Sequence, residues 1–316
     1  MSWAYYLSFV GEVIIATMSV VGNGLVILLI IKDEQLQTTT NYLVASLATA
    51  DLLVGAMGIP AVLAAINGYP HNFYGCLFVN SLIVLLTQIS IFGLMVLAIE
   101  RFVAIKNPFS YHQHCNGKVV TAVVASYWIA GIIVGLVPMF GWNLGPGGVE
   151  CAFVEVIDMK YMVYFNFFGF VLVPLILMLV IYIYIYRVVI KQMRQIASLQ
   201  VHDSNTSSGF NKHSLKKEIK AAKWFAVVIL LFAVSWIPIH IMNAVTLFAG
   251  KTCIICVNIA VLLSHLSSAV NPMLYALSNK KFKSAWRKLR GQRVESDFES
   301  SLKDNSEVPA VINPAA

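Results

Sequence analysis

Charge is what this sequence has least of. Only 12% of its 316 residues are Asp, Glu, Lys or Arg, about half the share usual in a soluble domain. With 59% hydrophobic residues and a mean hydropathy of +0.76, a soluble globular body of this length is excluded. Five cysteines are too few for a disulfide-built scaffold. No repetition links the two halves, which argues against a transporter made of paired broken helices. No basic stretch precedes the first apolar run, which itself carries Glu12 and Asn23; that run reads as a retained helix rather than a cleaved signal.

Long apolar runs are what the sequence does have. They fall at 8–31, 42–66, 77–99, 119–140, 161–190, 224–249 and 254–277, each near or above the roughly 20 residues a bilayer crossing needs. The expected fold is an all-α membrane protein, a bundle of seven transmembrane helices. If the N-terminus is outside, Lys160 and Lys251 are the only Lys or Arg on extracellular segments, and the other 20 lie at the cytoplasmic side. Positive loops remain in the cytoplasm, so the net charge of +7 reports topology and attraction to membrane lipid, with no nucleic-acid partner implied.

The third run, Cys76 to Lys106, organises the rest. Cys76 lies at the outer surface, Thr87 and Gln88 inside the membrane, and Glu100-Arg101 at the inner surface. One helix thereby touches both aqueous sides. Cys151 falls on the outer side with Cys76, so a bridge between them would pin the loop over the bundle mouth, with Phe153 hanging over the opening. Cys253 and Cys256 are spaced C-x-x-C; without a second pair or a His cluster, a local disulfide is a better reading than zinc or redox chemistry. Cys115 is expected to be cytoplasmic and free.

Ionisable groups inside the runs are costly and normally face the bundle interior. Glu12 is either a ligand-side group or a partner of another helix. Asp51, at mid-membrane, needs a counter-ion, a metal or a proton. Its plain reading is a protonated structural acid; its functional one is a sodium site with Asn271 and Ser267 or Ser268. No other cofactor is implied. Thr39 or Thr40 is the expected N-cap of the second helix. Pro60, Pro174 and Pro238 are expected kinks. Trp236, His240 and Asn243 share a polar stretch of the sixth helix, and Ser264 and His265 sit outward on the seventh. Those last two are adjacent and project about 100° apart, poor geometry for a nucleophile and its base. An enzyme is not expected.

Gln192 to His213 reads as a polar cytoplasmic linker. Its Asn205-Thr206-Ser207 sequon is on the wrong side for glycosylation. Residues 280–291 form a basic amphipathic segment with Phe282, Trp286 and Leu289 on one face, suited to the inner membrane surface. The receptor-like body thus spans 1–291, and 292–316 is expected to be a disordered cytoplasmic tail.

In order and spacing, several motifs resemble the rhodopsin-like G protein-coupled receptors: GN with Asn23, LATAD with Asp51, Cys76, ERF for D/E-R-Y, SWIP for C-W-x-P, and NPMLY for N-P-x-x-Y. Within them the chain resembles the adenosine receptors through LTQ (Thr87, Gln88), PMFGWN, CAF (Phe153), MVYFNFF (Met162, Asn166), SWIPIHIMN (Trp236, His240, Asn243) and LLSH (Ser264, His265). The resemblance implies that Asn243 holds adenine by two hydrogen bonds while Phe153 stacks on it. It also implies that Ser264, His265 and Thr87 take the ribose hydroxyls and that Glu12 braces His265. Glu100, Arg101, Asn271, Pro272 and Tyr275 become the coupling and switch residues.

Physical chemistry agrees with that assignment. A flat base with a donor and acceptor edge suits an aromatic residue and an Asn, and ribose suits Ser, Thr and His. The expected pocket contains no Lys or Arg for phosphates, so a neutral nucleoside fits better than a nucleotide. The implied function is a plasma-membrane receptor for extracellular adenosine acting on a heterotrimeric G protein, with arrestin and receptor kinases as further partners. A modest third cytoplasmic segment and short tail favour lowered cyclic AMP. The alternatives are a receptor of the same fold for a lipid or an amine, or a transporter. An amine would want a carboxylate on the third helix, and Asn80 to Gly93 has none. Val154 resembles the third adenosine receptor subtype, whereas His240 resembles the others.

Overall fold

The computed structural model describes residues 3–147, 151–202, 230–278 and 280–290. Seven helices are long and apolar enough to cross a membrane. They are α1 Trp3–Lys32, α2 Thr39–Ile66, α3 Phe73–Lys106, α4 Gly117–Phe140, α5 Tyr161–Val188, α6 Leu230–Ala249 and α7 Ile254–Ser278. A short α8, Lys280–Leu289, follows. The expected seven-helix architecture with an eighth amphipathic helix is what the chain adopts.

Three boundaries differ from the sequence reading. Helix α1 begins at Trp3 rather than residue 8, because interfacial aromatics extend it beyond its aliphatic run. Thr38, one residue before the expected caps, is the N-cap of α2, and its side chain accepts from the Asn41 amide. Thr40 instead donates to Glu100 of α3 at 2.7 Å. The α5 helix continues past the expected linker start to His202; Gln, Met, Arg, Ala and Leu there are good helix formers. The remainder of the linker with Asn205, the start of α6 at 224, and the tail 292–316 lie outside the described residues.

Helix α3 is the axis of the bundle. Its 34 residues rise roughly 50 Å, and it is the most buried of the spanning helices. Helix α4 lies tightly on it because Gly131 and Gly135 present no side chain; a Cβ at Gly131 would collide with the Ile89 side chain, and one at Gly135 with the backbone of Leu85.

The intramembrane prolines are accommodated by neighbouring helices. Pro272 has no N–H to return to the Ser268 carbonyl four residues earlier, and Asn23 of α1 donates its Nδ2 to that carbonyl at 3.0 Å. Pro174 likewise lies four residues after Phe170, whose carbonyl accepts from Gln88 Nε2 of α3 at 2.8 Å. Pro60 follows a widened π-type turn, Val54–Gly58. Hydrocarbon supplies no hydrogen bonds, so such gaps in a spanning helix are filled from within the protein.

At the cytoplasmic end, Phe282 and Ala285 of α8 are buried in a cluster with Leu36, Val26, Leu29 and Ile30. Lys288 Nζ lies 3.2 Å from Asp33 Oδ2. The apolar face of α8 is therefore divided: Phe282 is held by protein, while Trp286 and Leu289 remain exposed where inner-leaflet lipid would lie.

Candidate functional site

The outer mouth is built first. Cys76 and Cys151 are bonded, with 2.03 Å between sulfurs, and Cys253 is bonded to Cys256. The first bridge ties the loop after α4 to the outer end of α3. The Asn143–Ile157 bridge pairs two stretches of that loop, Trp142 Nε1 donates to Asp158 Oδ2 at 3.2 Å, and the Tyr161 hydroxyl donates to the Val134 carbonyl at 2.7 Å. Phe153, the first residue of a one-turn helix Phe153–Val156, packs from this loop against a cluster that includes Val84 of α3 and Met162 of α5, with Leu247 of α6 beside it.

Below the mouth, polar side chains from five helices are buried: Glu12 on α1, Thr87 and Gln88 on α3, Asn166 on α5, His240 and Asn243 on α6, and Ser264 and His265 on α7. Their partners differ. His265 Nδ1 lies 2.8 Å from Glu12 Oε2, so the α1 carboxylate is a partner of α7. Gln88 Oε1 accepts from Asn166 Nδ2 at 3.0 Å, making this pair a bridge between α3 and α5. Thr87 and Ser264 donate their hydroxyl protons to their own helices, at 2.7 Å to Ile83 and 2.7 Å to Val261. Each hydroxyl oxygen keeps lone pairs for another donor.

His240 stands apart. It is 3% exposed, and among the described residues neither ring nitrogen has a hydrogen-bond partner. Phe167 of α5 stacks on its ring at 4.7 Å and 22°, and Trp236 lies 6.4 Å away. Phe167 was not singled out from the sequence. It sits in an aromatic run, where composition marks a buried face but not which ring meets a neighbour.

A second layer lies at mid-membrane. Asp51 is fully buried; Ser90 donates to Oδ1 at 2.7 Å and Asn271 to Oδ2 at 2.7 Å. Ser19 donates to the Asp51 carbonyl at 2.7 Å. Ser90 was unsuspected, since a serine in an apolar helix gives no sign of its partner. The side chain of Tyr275 lies outside the described residues, and Pro272 is buried beside Asn271.

The third layer is cytoplasmic. Arg101 Nε lies 2.9 Å from Glu100 Oε2, yet that oxygen receives no aligned hydrogen bond. Glu100 Oε1 accepts from both Thr40 and Tyr111. Tyr111 belongs to a short helix, Pro108–His114, in the loop after α3. Burial first, and then the Glu100 carboxylate, push its phenol above the usual tyrosine range. Phe102, in place of the usual Tyr, packs edge-on against Tyr184 at 5.0 Å, with the Lys106 ammonium 5.3 Å over its ring.

Buried polar side chains outside, an acid-centred network in the middle and the Glu100-Arg101 pair at the inner end stand at three levels of one seven-helix bundle. The family model described as "7 transmembrane receptor (rhodopsin family)" matches residues 22–275. The chain belongs to that family, and it is a multi-pass protein of the plasma membrane. Among curated proteins it is 39% identical over 305 residues to mouse adenosine receptor A2b, covering 90% of this chain and 89% of that one. It is 37% identical over 295 residues to human adenosine receptor A2a, covering 88% and 70%, and 36% identical over 334 residues to chicken adenosine receptor A2b, covering 96% of each. Within the rhodopsin family, this chain is a member of the adenosine receptors.

Proposed function

We propose that this chain is a receptor for extracellular adenosine that activates a heterotrimeric G protein. The observation that carries the reading is the buried, cation-free set of an amide, hydroxyls and imidazoles beneath a disulfide-pinned loop, with the two nitrogens of His240 left without partners. Buried polar groups are normally paired, so the open nitrogens of His240 suit a ligand with its own donors and acceptors. Asn243 takes the adenine edge and Phe153 its face, with Met162 and Trp236 as apolar walls. Thr87, Ser264 and His265 take the ribose hydroxyls, with Glu12 orienting His265. Gln88 and Asn166 act through the bridge they form.

Agonist contact in the chamber shifts α6 about Pro238 through Trp236, which packs on Phe232 at 6.3 Å. The inner ends of α3 and α6 then part, and Arg101 turns from Glu100 to the G protein. The arginine side of this pair is 35% exposed while Glu100 is buried, and without an aligned hydrogen bond on Oε2 the pair is a latch that ligand binding can open. The direction of the cyclic AMP change is a finer question. Lowered cyclic AMP rests on loop and tail length alone, and the A2a and A2b relatives lend it no support; an assay able to register both a rise and a fall decides it.

Asp51 offers a carboxylate beside the Ser90 hydroxyl, and Ser268 is buried in the helix that carries Asn271, the other partner of Asp51. These oxygens fit sodium, a hard cation, and Asp51, Ser90 and Ser268 would hold it; the ion would supply positive charge opposite the buried acid. The function is tested by competition of adenosine against a radiolabelled antagonist on the wild type and Asn243→Ala at matched surface expression. Losing both bonds to the base should cost several kcal/mol, of order 1–3 for each hydrogen bond left unmade. Affinity retained in the variant would overturn the assignment of the site.

A further inference from the structure

The facing surfaces of α6 and α7 do not close on each other throughout. Between them, reaching inward to Leu94 of α3, lies a cavity of about 60 Å³. Its floor is formed by Phe232, Leu94 and Asn271, all buried, and its rim by Val234, which is 48% exposed within a membrane-spanning helix. At that depth the medium outside the rim is hydrocarbon, not water. Aliphatic side chains, among them Leu263, Leu266 and Val270 of α7, make up most of the wall.

Water is a poor occupant. An enclosed water needs two to four polar partners, and the polar residues here are largely engaged elsewhere. Ser267 donates to the Ser264 carbonyl at 2.7 Å, and Asn271 donates to Asp51. Apolar cavities of this kind stay dry and accept apolar guests. The volume is small for a fused-ring sterol, whereas the narrow end of a flexible chain can enter sideways.

We propose that this cavity is a binding site for the terminal segment of a lipid acyl chain that enters from the bilayer between α6 and α7. The occupant would touch Phe232, the neighbour of Trp236, on one side and Asn271, the partner of Asp51, on the other. Movement of α6 alters one wall of the site, so acyl occupancy and the position of α6 are linked. The proposal does not rest on the identity of the receptor's extracellular ligand.

The test places the full-length receptor in nanodiscs containing phosphatidylcholine with a photoreactive diazirine at the terminal carbon of one acyl chain. After irradiation, cross-linked peptides are mapped by mass spectrometry. Labelling should concentrate on Leu263, Leu266 and Val270 in excess of Ile132 and Ile133, exposed residues of α4 that report ordinary bilayer contact. Val234→Trp puts an indole at the mouth and should remove that excess while leaving the α4 labelling unchanged; Leu263→Phe, which fills the cavity from the α7 side, should do the same. Wild-type labelling at α7 no greater than at α4 would overturn the site even if neither variant folds, as would an excess that survives both substitutions.

Discussion

The middle and outer layers of the bundle both pair most of their buried polar groups, and they differ at His240. At mid-membrane, Asn23 fills the carbonyl freed by Pro272, and Ser90 and Asn271 each take one oxygen of Asp51. In the outer layer, His240 is equally buried and has no partner at either nitrogen. An unsatisfied buried polar group costs about 1–3 kcal/mol; among the described residues the middle layer leaves one such atom, Asn23 Oδ1, beside its several pairings, whereas His240 leaves both ring nitrogens. Apart from that oxygen, the middle layer is cross-linked by Ser19, Asn23, Ser90 and Asn271 and holds α1, α2, α3 and α7 in register. The outer layer tolerates a deficit that an incoming ligand would remove.

The sharpest way to break this comparison is to exchange the two behaviours. Asn23→Ala deletes the donor that serves both Ser268 and Ser19 and leaves the proline gap of α7 open. It should lower stability by about 1–3 kcal/mol, read as a fall in the thermal unfolding midpoint of detergent-solubilised receptor, with ligand selectivity unchanged. His240→Phe removes the unpaired nitrogens and keeps an aromatic ring against Phe167. It should leave the ligand-free midpoint unchanged or raised and weaken adenosine binding. The reverse pattern, a stable Asn23 variant and an unfolded His240 variant, would show that the layers are not divided as described.

A smaller effect is expected from the acid in the middle layer. An ion bound to one conformational state opposes an agonist that prefers another, and such couplings are typically about 1–3 kcal/mol. Raising sodium should therefore weaken agonist affinity in the wild type. Asp51→Asn retains the shape and a partner for Asn271 but removes the negative charge, and agonist affinity in this variant should no longer respond to sodium. Titrating agonist binding at several sodium concentrations, with potassium holding ionic strength constant, checks this; an unchanged response in the variant would remove the ion from the mechanism.

Much of this organisation was legible in the sequence because the bilayer enforces it. Run length and the placement of Lys and Arg give seven spans and their orientation without any knowledge of packing. Residues with few alternatives were also legible, Asp51 with Asn271 and Cys76 with Cys151, whereas Glu12 with His265 came from the resemblance to the adenosine receptors. Partners with many equivalents were not. Ser90 is one of several serines, Phe167 one of several aromatic residues in its run, and Thr38 one of three consecutive threonines. The bridging of Phe170 by Gln88 is a consequence of Pro174 that could have been deduced in kind, since the freed carbonyl needs a donor, but sequence alone does not say which helix supplies it.

The smallest effect concerns the cytoplasmic layer, where the two behaviours meet on one carboxylate. Glu100 Oε1 is satisfied by Thr40 and Tyr111, whereas Oε2 faces Arg101 without an aligned hydrogen bond. The wired side fixes where the carboxylate sits, and the loose side lets Arg101 leave. If that division is right, removing a wired partner should free the carboxylate to rotate and weaken its hold on the arginine indirectly. Thr40→Val and Tyr111→Phe each delete one hydrogen bond to a charged carboxylate, worth about 1.5–3 kcal/mol, of which only the part transmitted through rotation of Glu100 reaches Arg101. Basal nucleotide exchange on the G protein should therefore rise by a few-fold at most in either variant, with antagonist affinity unchanged. The double variant should show less than the product of the two effects, because both donors serve the same oxygen and neighbouring sites are not independent. Basal exchange that multiplies without such coupling would mean that α2 and the loop helix restrain Arg101 by separate routes, and Glu100 would no longer be the point where they join.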